Sequence, residues 1–513
     1  MSSTRRVRDR LKAARLGLVV AVCQVLWGVG MWAPIELAAQ GPDIRLQEAR
    51  DALRAGNARE ALDRFEQLID NRLARRPALF GAAEASAVLD EPERALGYYR
   101  QILQESDIGS EDERRARFGA ARMSIWVGRY SDAESFYRQL LRQPLSDEDA
   151  EIARVGLIKA LSFGGRPMAA FESAPHTANL SASDRFELAR AAMWAGWPDK
   201  ADVLLRDIGP VTEGRLARDL ENLKLDVACE LASPASLRFG WSRDSDEFTA
   251  RKAELVVGTR VLTAHTMSLA LQWQSFDQHD RALGMRGVQG RYDGRWTDHL
   301  WVSLQGGPAY YDGNHVGLWS SNVVYRPTDR VGVEASAGRE AVESFPAFDR
   351  RVVLDTIGLG LDYRVTARLG LAGFVYGQRF SDANERLGGV GKATAVLSER
   401  VGLSAQLRAR MFASARNDVQ GYFNPERFIE EQLLLVLRRR LNSDWRVEVV
   451  GGPGVQRVTP DERSTTSLIE GRIAGRFVGC LTSSLVMGYS NSAVSSASGF
   501  ARYYGSLFIS SAW

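Results

Sequence analysis

The chain is poor in the residues on which most enzymes and metalloproteins depend. Of its 513 residues three are cysteine and five are histidine, and no histidine pair has metal-ligand spacing. It carries no phosphate loop, no dinucleotide fingerprint and no nucleophile elbow. The reading therefore assigns no catalytic residue, no cofactor and no metal. A net charge of +3 is too small for this length to imply nucleic acid as a partner. Beyond the N-terminus no apolar run is long enough for a membrane helix. That absence leaves strands free to cross a membrane, because a barrel strand shows lipid only every second residue. Lysine is scarce after position 236, where only Lys252 and Lys392 occur, while arginine is abundant and nearly balanced by acidic residues.

The first forty residues read as an export signal. Arg5, Arg6, Arg8, Arg10, Lys12 and Arg15 form a basic start, residues 16–33 are apolar, and Ala38-Ala39 precede a cleavage point. The apolar stretch is long for a signal, so an uncleaved inner-membrane anchor is the rival reading. Cys23 lies inside that stretch behind Val22, the wrong residue for lipoprotein processing. Cys229 and Cys480 fall in different predicted domains. They are read as two unpaired thiols, although an oxidising compartment permits a bridge.

Residues 41–210 contain an internal repeat. The pattern at 49–65 recurs at 84–99, 121–137 and 190–205, with a degraded copy at 152–171. Ala61, Ala95, Ala133 and Ala201 hold equivalent places, and Phe65, Tyr99 and Tyr137 each follow four positions later. Ala61 and Ala95 are 34 residues apart, the tetratricopeptide period. Each unit is a pair of amphipathic helices that cannot bury its apolar stripe alone, so about five units are expected to stack as a solenoid. Gly56, Gly128 and Gly196 mark the turns within units. The aromatics Phe65, Tyr99, Tyr137, Trp126 and Trp194 are read as packing between repeats. Residues 211–235 are read as a capping helix and linker.

From 236 to 513 the pattern changes to about sixteen short strands. Val401, Leu403, Ala405, Leu407, Ala409 and Met411 alternate with Ser404, Gln406, Arg408 and Arg410. Ile469, Ile473 and Phe477 oppose Glu470, Arg472 and Arg476. Met267, Leu269, Leu271 and Trp273 oppose Ser268, Gln272 and Gln274, and Tyr503, Leu507, Ile509 and Trp513 oppose Arg502, Tyr504 and Ser506. Hydrocarbon demands the apolar face and an aqueous lumen accepts the polar one. The expected lumen lining is Glu254, Arg260, Gln272, Gln274, Gln406, Arg408, Arg410, Arg446, Glu448, Glu470, Arg472, Arg476 and Arg502. The arginine preference reflects either genome base composition or a lattice of ion pairs among Arg408, Arg410, Arg446, Arg472, Arg476, Glu254, Glu448 and Glu470. Trp241, Trp273, Trp296, Trp319, Trp445, Tyr325 and Tyr363 recur near strand ends, as interfacial girdles do. Connections after even strands are short. Those after odd strands are expected to be long, at 243–248, 276–283, 341–350, 415–426, 459–465 and 491–499. The fold class is therefore multidomain: an all-α tetratricopeptide solenoid followed by an antiparallel transmembrane β-barrel of about sixteen strands.

Gly421-Tyr422-Phe423-Asn424-Pro425-Glu426-Arg427-Phe428, on a predicted outer loop, is similar to a Tyr-Phe-x-Pro segment of bacterial exopolysaccharide exporters. The domain order extends the resemblance over nearly the whole mature chain. The family joins tetratricopeptide repeats to an outer-membrane barrel; its poly-N-acetylglucosamine export porin is the nearer parallel and the outer-membrane subunit of cellulose secretion the second. The helical array here is shorter than in those exporters. The resemblance implies an outer-membrane porin for a polysaccharide, with periplasmic repeats that guide polymer or recruit synthase and modifying proteins of the periplasm or inner membrane. It implies no catalytic residue. Two other readings stand beside it. One is a barrel-anchored periplasmic scaffold for protein partners. The other is a barrel enzyme, for which His279, His299 and His315 lie in or near connections with no serine that the sequence pairs to them.

Overall fold

A computed structural model describes residues 42–174, 180–209, 214–459, 463–493 and 501–513. The signal read over 1–40 lies outside them. The chain divides into two compact units between Met123 and Ser124. The first holds α1 (Pro42–Arg54), α2 (Ala58–Asp70), α3 (Arg75–Val88), α4 (Pro92–Leu103) and most of α5 (Ser110–Trp126). The second begins with α6 (Tyr130–Leu141), α7 (Asp147–Phe163), α8 (Pro167–Glu172), α9 (Ala182–Ala195), α10 (Pro198–Arg206) and α11 (Gly214–Leu231).

One backbone device closes the first helix of each pair. Gly56, Gly128, Gly165 and Gly196 sit in the left-handed region, and Asp90 takes the same place at φ +59°. The next amide reaches back five residues, from Asn57 to the Ala52 carbonyl at 2.9 Å, from Arg129 to Ser124 at 2.8 Å and from Trp197 to Ala192 at 2.8 Å. This satisfies carbonyls that the helix end would otherwise leave open. Ala61, Ala95, Ala133 and Ala201 are completely buried, and Phe65, Tyr99 and Tyr137 nearly so. Each aromatic lies on a glycine of the following helix: Phe65 on Gly81, Tyr99 on Gly119, Tyr137 on Gly156. A Cβ at any of the three glycines would collide with the ring. The repeat is thus a small residue within the pair and a ring seated on a glycine between pairs.

Sixteen strands follow: β1 (Pro234–Asp244), β2 (Thr249–Leu262), β3 (His265–Gln278), β4 (Arg281–Thr297), β5 (Leu300–Tyr311), β6 (Asn314–Thr328), β7 (Val331–Ala341), β8 (Val353–Arg364), β9 (Leu369–Phe380), β10 (Glu385–Ser398), β11 (Leu403–Ser414), β12 (Arg427–Arg440), β13 (Trp445–Thr459), β14 (Arg463–Val478), β15 (Leu481–Ser490) and β16 (Arg502–Ala512). A short helix, α12 (Phe345–Arg350), lies between β7 and β8. Every strand pairs antiparallel with its neighbours, and β1 pairs with β16 from Pro234↔Ala512 to Asp244↔Arg502, so the barrel is closed. Closure leaves no sheet edge unsatisfied, which a hydrocarbon environment requires.

The outer face is apolar. Leu407 and Met411 are 55% and 56% exposed, whereas Gln432 on the opposite face of the neighbouring strand is 1% exposed. Two aromatic belts flank that apolar band. Trp296, Tyr325, Tyr363, Phe477 and Trp513 stand at the end reached by even strands, and Trp241, Trp273, Tyr310 and Tyr503 toward the other. A closed, even-stranded barrel with an apolar outer band between aromatic girdles is a membrane-spanning barrel of the outer-membrane type.

The connections correct part of the sequence reading. After odd strands, 342–352, 415–426 and 491–501 are long, but β3–β4 and β5–β6 join through two residues each, 279–280 and 312–313. The polar residues read as loop at 276–283 belong to the ladder, with Asp277↔Ala282 and Gln278↔Arg281 paired. Strands also run on to Thr459 and resume at Arg463. β3 has 14 residues and β4 has 17, more than the roughly 9–11 that span hydrocarbon. Their ends therefore continue as a hairpin beyond the membrane, where polar residues are at no disadvantage.

Candidate functional site

The end of the barrel formed by the even-strand turns is covered by helices of the same unit. Asp329, in the β6–β7 turn, accepts hydrogen bonds from the Met168 and Ala169 amides at 3.0 Å each. In the β4–β5 turn, the Asp298 carbonyl accepts from the Trp197 indole at 2.8 Å and its carboxylate from Lys200 at 2.6 Å. Arg295 pairs with Asp199, and Arg364 donates to the Gly165 carbonyl. Beside the Asp329 and Arg364 bonds lies a cavity of about 480 Å³, lined from α8 and α9 by Met168 and Trp194 and from the barrel by Arg326, Asp362, Arg364 and Lys392.

Two residues predicted to line the lumen help to fasten this rim. Arg260 donates to the Glu230 carbonyl and Arg476 pairs with Asp226, both on α11. Beside them Cys229 and Cys480 form a disulfide, with Cα atoms 5.3 Å apart. The reading of two free thiols is overturned. It rested on the two residues lying in separate domains, but α11 docks on the β14–β15 turn and brings them together.

Within the barrel the predicted polar residues form local clusters. Glu254 accepts from Gln272 at 3.0 Å and Arg291 at 2.6 Å, and Gln272 also reaches Gln289 at 3.2 Å. Gln274 lies on the same strand face, its Oε1 buried without a hydrogen-bond partner among the described residues. Arg408 donates to Gln432 at 3.0 Å, Gln432 to Glu430 at 3.0 Å, and Arg410 lies 3.9 Å from Glu430. Arg502 donates to Ser242 at 3.0 Å and Tyr504 to Glu470 at 2.8 Å. Arg408, Arg410 and Arg502 share a cavity of about 390 Å³ with Lys252, Glu430 and Tyr504. Glu448 pairs with Arg438. Arg446 and Arg472 are exposed, and Gln406 is half-buried beside Thr394 and Leu434 on the ladder. Charges pair between strands of the wall, Glu254 with Arg291, Arg410 with Glu430 and Glu448 with Arg438, while Arg476 pairs with Asp226 of α11; none of these partners was singled out from sequence.

Rings also cover glycines of the inner wall. Phe374 covers Gly358, Tyr376 covers Gly388 and Tyr504 covers Gly488, each filling the place of the missing Cβ. A glycine in a strand signals such close approach, yet only the pairing register says which ring approaches.

At the opposite rim, long connections fold inward. Phe345 and Phe348 of α12 pack with Phe248, Phe276, Met285 and Tyr311. Arg281 grips Asp349 through two bonds, at 2.6 and 3.0 Å, which holds the Asp349 carboxyl below its ordinary range. Glu343 pairs with Lys252. The Tyr-Phe-x-Pro segment anchors the neighbouring loop. Tyr422 stacks on Phe380 at 4.2 Å and donates to both oxygens of Asp382 at 3.0 and 3.1 Å. Burial pushes its phenol up to about 12. Phe423 packs edge-on against Phe412 and Phe428, and Pro425 is buried. Ser344 joins the two loops by donating to the Gly421 carbonyl.

No family model matches the chain, and no curated protein matches it in sequence. Among solved structures it is similar to one described as a bacterial polysaccharide outer membrane secretin, at 11% identity over 54% of this chain and 98% of that one, with a TM-score of 0.46. OccAB4 from Acinetobacter baumannii matches 54% of this chain and 97% of its own at 8% identity, with a TM-score of 0.32. A tetratricopeptide repeat protein from Parabacteroides merdae matches 43% of this chain and 80% of its own at 17% identity, with a TM-score of 0.27. These are likenesses of fold at low identity.

Sequence reasoning missed the glycines that receive the rings and the phenylalanines of α12. The former were legible only as scattered glycines, the latter only as part of a polar-looking loop.

Proposed function

We propose that the protein is an outer-membrane conduit through which a polysaccharide passes from the periplasm to the cell surface. The helical repeats then stand on the periplasmic side, where they bind polymer or the proteins that make and modify it. The observation that supports this best is the polar cavity lined by α8, α9, the even-strand turns and the wall residues Asp362, Lys392 and Thr394. Such groups exchange hydrogen bonds with sugar hydroxyls. The periplasmic side follows from the general habit of these barrels, whose short turns face the periplasm. The barrel has no energy source of its own in this reading, so polymerisation behind the chain drives movement, and no catalytic step is assigned to it. Deletion of the gene should abolish surface polysaccharide while synthesis continues inside the cell. Unchanged surface polysaccharide would remove this reading.

A second reading, a barrel that anchors a periplasmic protein scaffold, is favoured by the inward-folded phenylalanines of α12. The two part on conductance. A barrel that stays closed in a planar bilayer after residues 343–351 are removed is an anchor.

A further inference from the structure

The residue two places before each left-handed turn of the repeats changes character along the chain. It is Arg54 before Gly56 and Val88 before Asp90, then Trp126 before Gly128, Phe163 before Gly165 and Trp194 before Gly196. The three aromatics are not core, which corrects the reading of Trp126 and Trp194 as packing between repeats. Trp126 is 54% exposed, Phe163 39% and Trp194 50%, in contrast to the buried rings of Tyr99 and Tyr137. Repetition at one structural position makes this a built surface and not a stray exposed side chain. Two of the rings, Phe163 and Trp194, are also held. Phe163 lies 6.4 Å from Tyr130 and 5.6 Å from Trp194, and the Arg190 guanidinium sits 4.8 Å from the Phe163 ring and 5.3 Å from that of Trp194. Rings fixed in advance lose little freedom when a ligand stacks on them. Trp194 then lines the mouth cavity beside Asp362, Arg364 and Lys392.

We propose that Trp126, Phe163 and Trp194 form a stacking platform that delivers the flat C–H face of an all-equatorial pyranose chain into the mouth of the barrel. The geometry suits that ligand class. Phe163 and Trp194 are tilted by 54° to each other, so each ring offers its own apolar face to one sugar, and the charged groups at the mouth meet the hydroxyls around its edge. Farther along, Phe374, Tyr376 and Tyr504 cover glycines of the wall. The proposal rests on the conduit reading for its ligand class, and it extends that reading to a named binding surface.

The test uses the purified full chain in detergent, titrated calorimetrically with cellohexaose and with chitohexaose, uncharged chains of β-linked all-equatorial sugars. The triple variant Trp126→Ala, Phe163→Ala, Trp194→Ala should bind at least tenfold more weakly. Trp194→Ala alone should lose part of the affinity and Trp194→Phe should regain most of it, with helix content and barrel gel mobility unchanged. If the triple variant misfolds, the Trp194→Ala and Trp194→Phe pair carries the test. Equal binding by wild type and variants, no binding by wild type, or preferential binding of a proline-rich peptide at the same rings would each overturn the platform. The conduit reading fails separately. Unchanged surface polysaccharide in the deletion strain removes it whatever the titration shows, and lost surface polysaccharide with no effect of the ring variants leaves the conduit standing without this platform.

Discussion

Cys229, two residues before the end of α11, is bonded to Cys480 in the β14–β15 turn, across 251 residues of sequence. With the Arg476–Asp226 pair and the Arg260–Glu230 hydrogen bond, it fastens α11 to the rim of the barrel. Cys229→Ser or reduction should weaken that docking by about 2–4 kcal/mol. Hydrogen exchange should quicken across 214–231, while the barrel keeps its gel mobility. Unchanged exchange would show that the two polar contacts suffice.

The ring-on-glycine contacts make a paired prediction in the repeats. Gly119→Ala places a methyl inside the ring of Tyr99 and should destabilise the first unit by about 1–3 kcal/mol. Gly97, in α4, has open space where its Cβ would be. Gly97→Ala should therefore be neutral or stabilise by about 0.5–1 kcal/mol through helix propensity. Thermal unfolding of the two variants checks the contrast.

Much of the architecture is legible in the sequence because it is periodic. Alanine and aromatic at fixed spacing announce the repeat, and the alternation at 401–411 announces a strand with lipid on one side. What is hidden depends on distance in the chain or on register. Cys229 and Cys480 meet only because a helix docks on one particular turn. Phe374 meets Gly358 only because β8 and β9 pair as they do. The partners of Glu254 and Arg410 were missed for the same reason, since cross-strand neighbours cannot be named before the register is known. Hairpin length at 276–283 was misread because polar strand ends outside the membrane resemble loops.

The inward-folded connection between β7 and β8 should restrict the pore. Removing residues 343–351 deletes the Phe345 and Phe348 contacts and the Glu343–Lys252 pair together. Under the conduit reading single-channel conductance rises severalfold. A Glu343→Gln variant should give a smaller rise, because the phenylalanine cluster remains.

Tyr422 ties a second connection down by its hydroxyl as well as its ring. Its phenol titrates near 12, above the ordinary 10.0, so its contribution is complete below pH 10 and is lost as pH climbs through about 12. Tyr422→Phe keeps the stack on Phe380 and removes both bonds to Asp382. Proteolysis within 415–426 should accelerate in that variant at pH 7. In the parent it should accelerate only in strong alkali.

The central claim is that hydrocarbon meets the outer face of this barrel and water its inner face. Spin labels at single cysteines along 403–411, in the protein reconstituted into lipid vesicles, test it directly. The account predicts that labels at Leu403, Leu407 and Met411 relax with oxygen, and that labels at Gln406 and Arg408 relax with a water-soluble nickel complex. Equal response to the nickel complex at all five positions would contradict it.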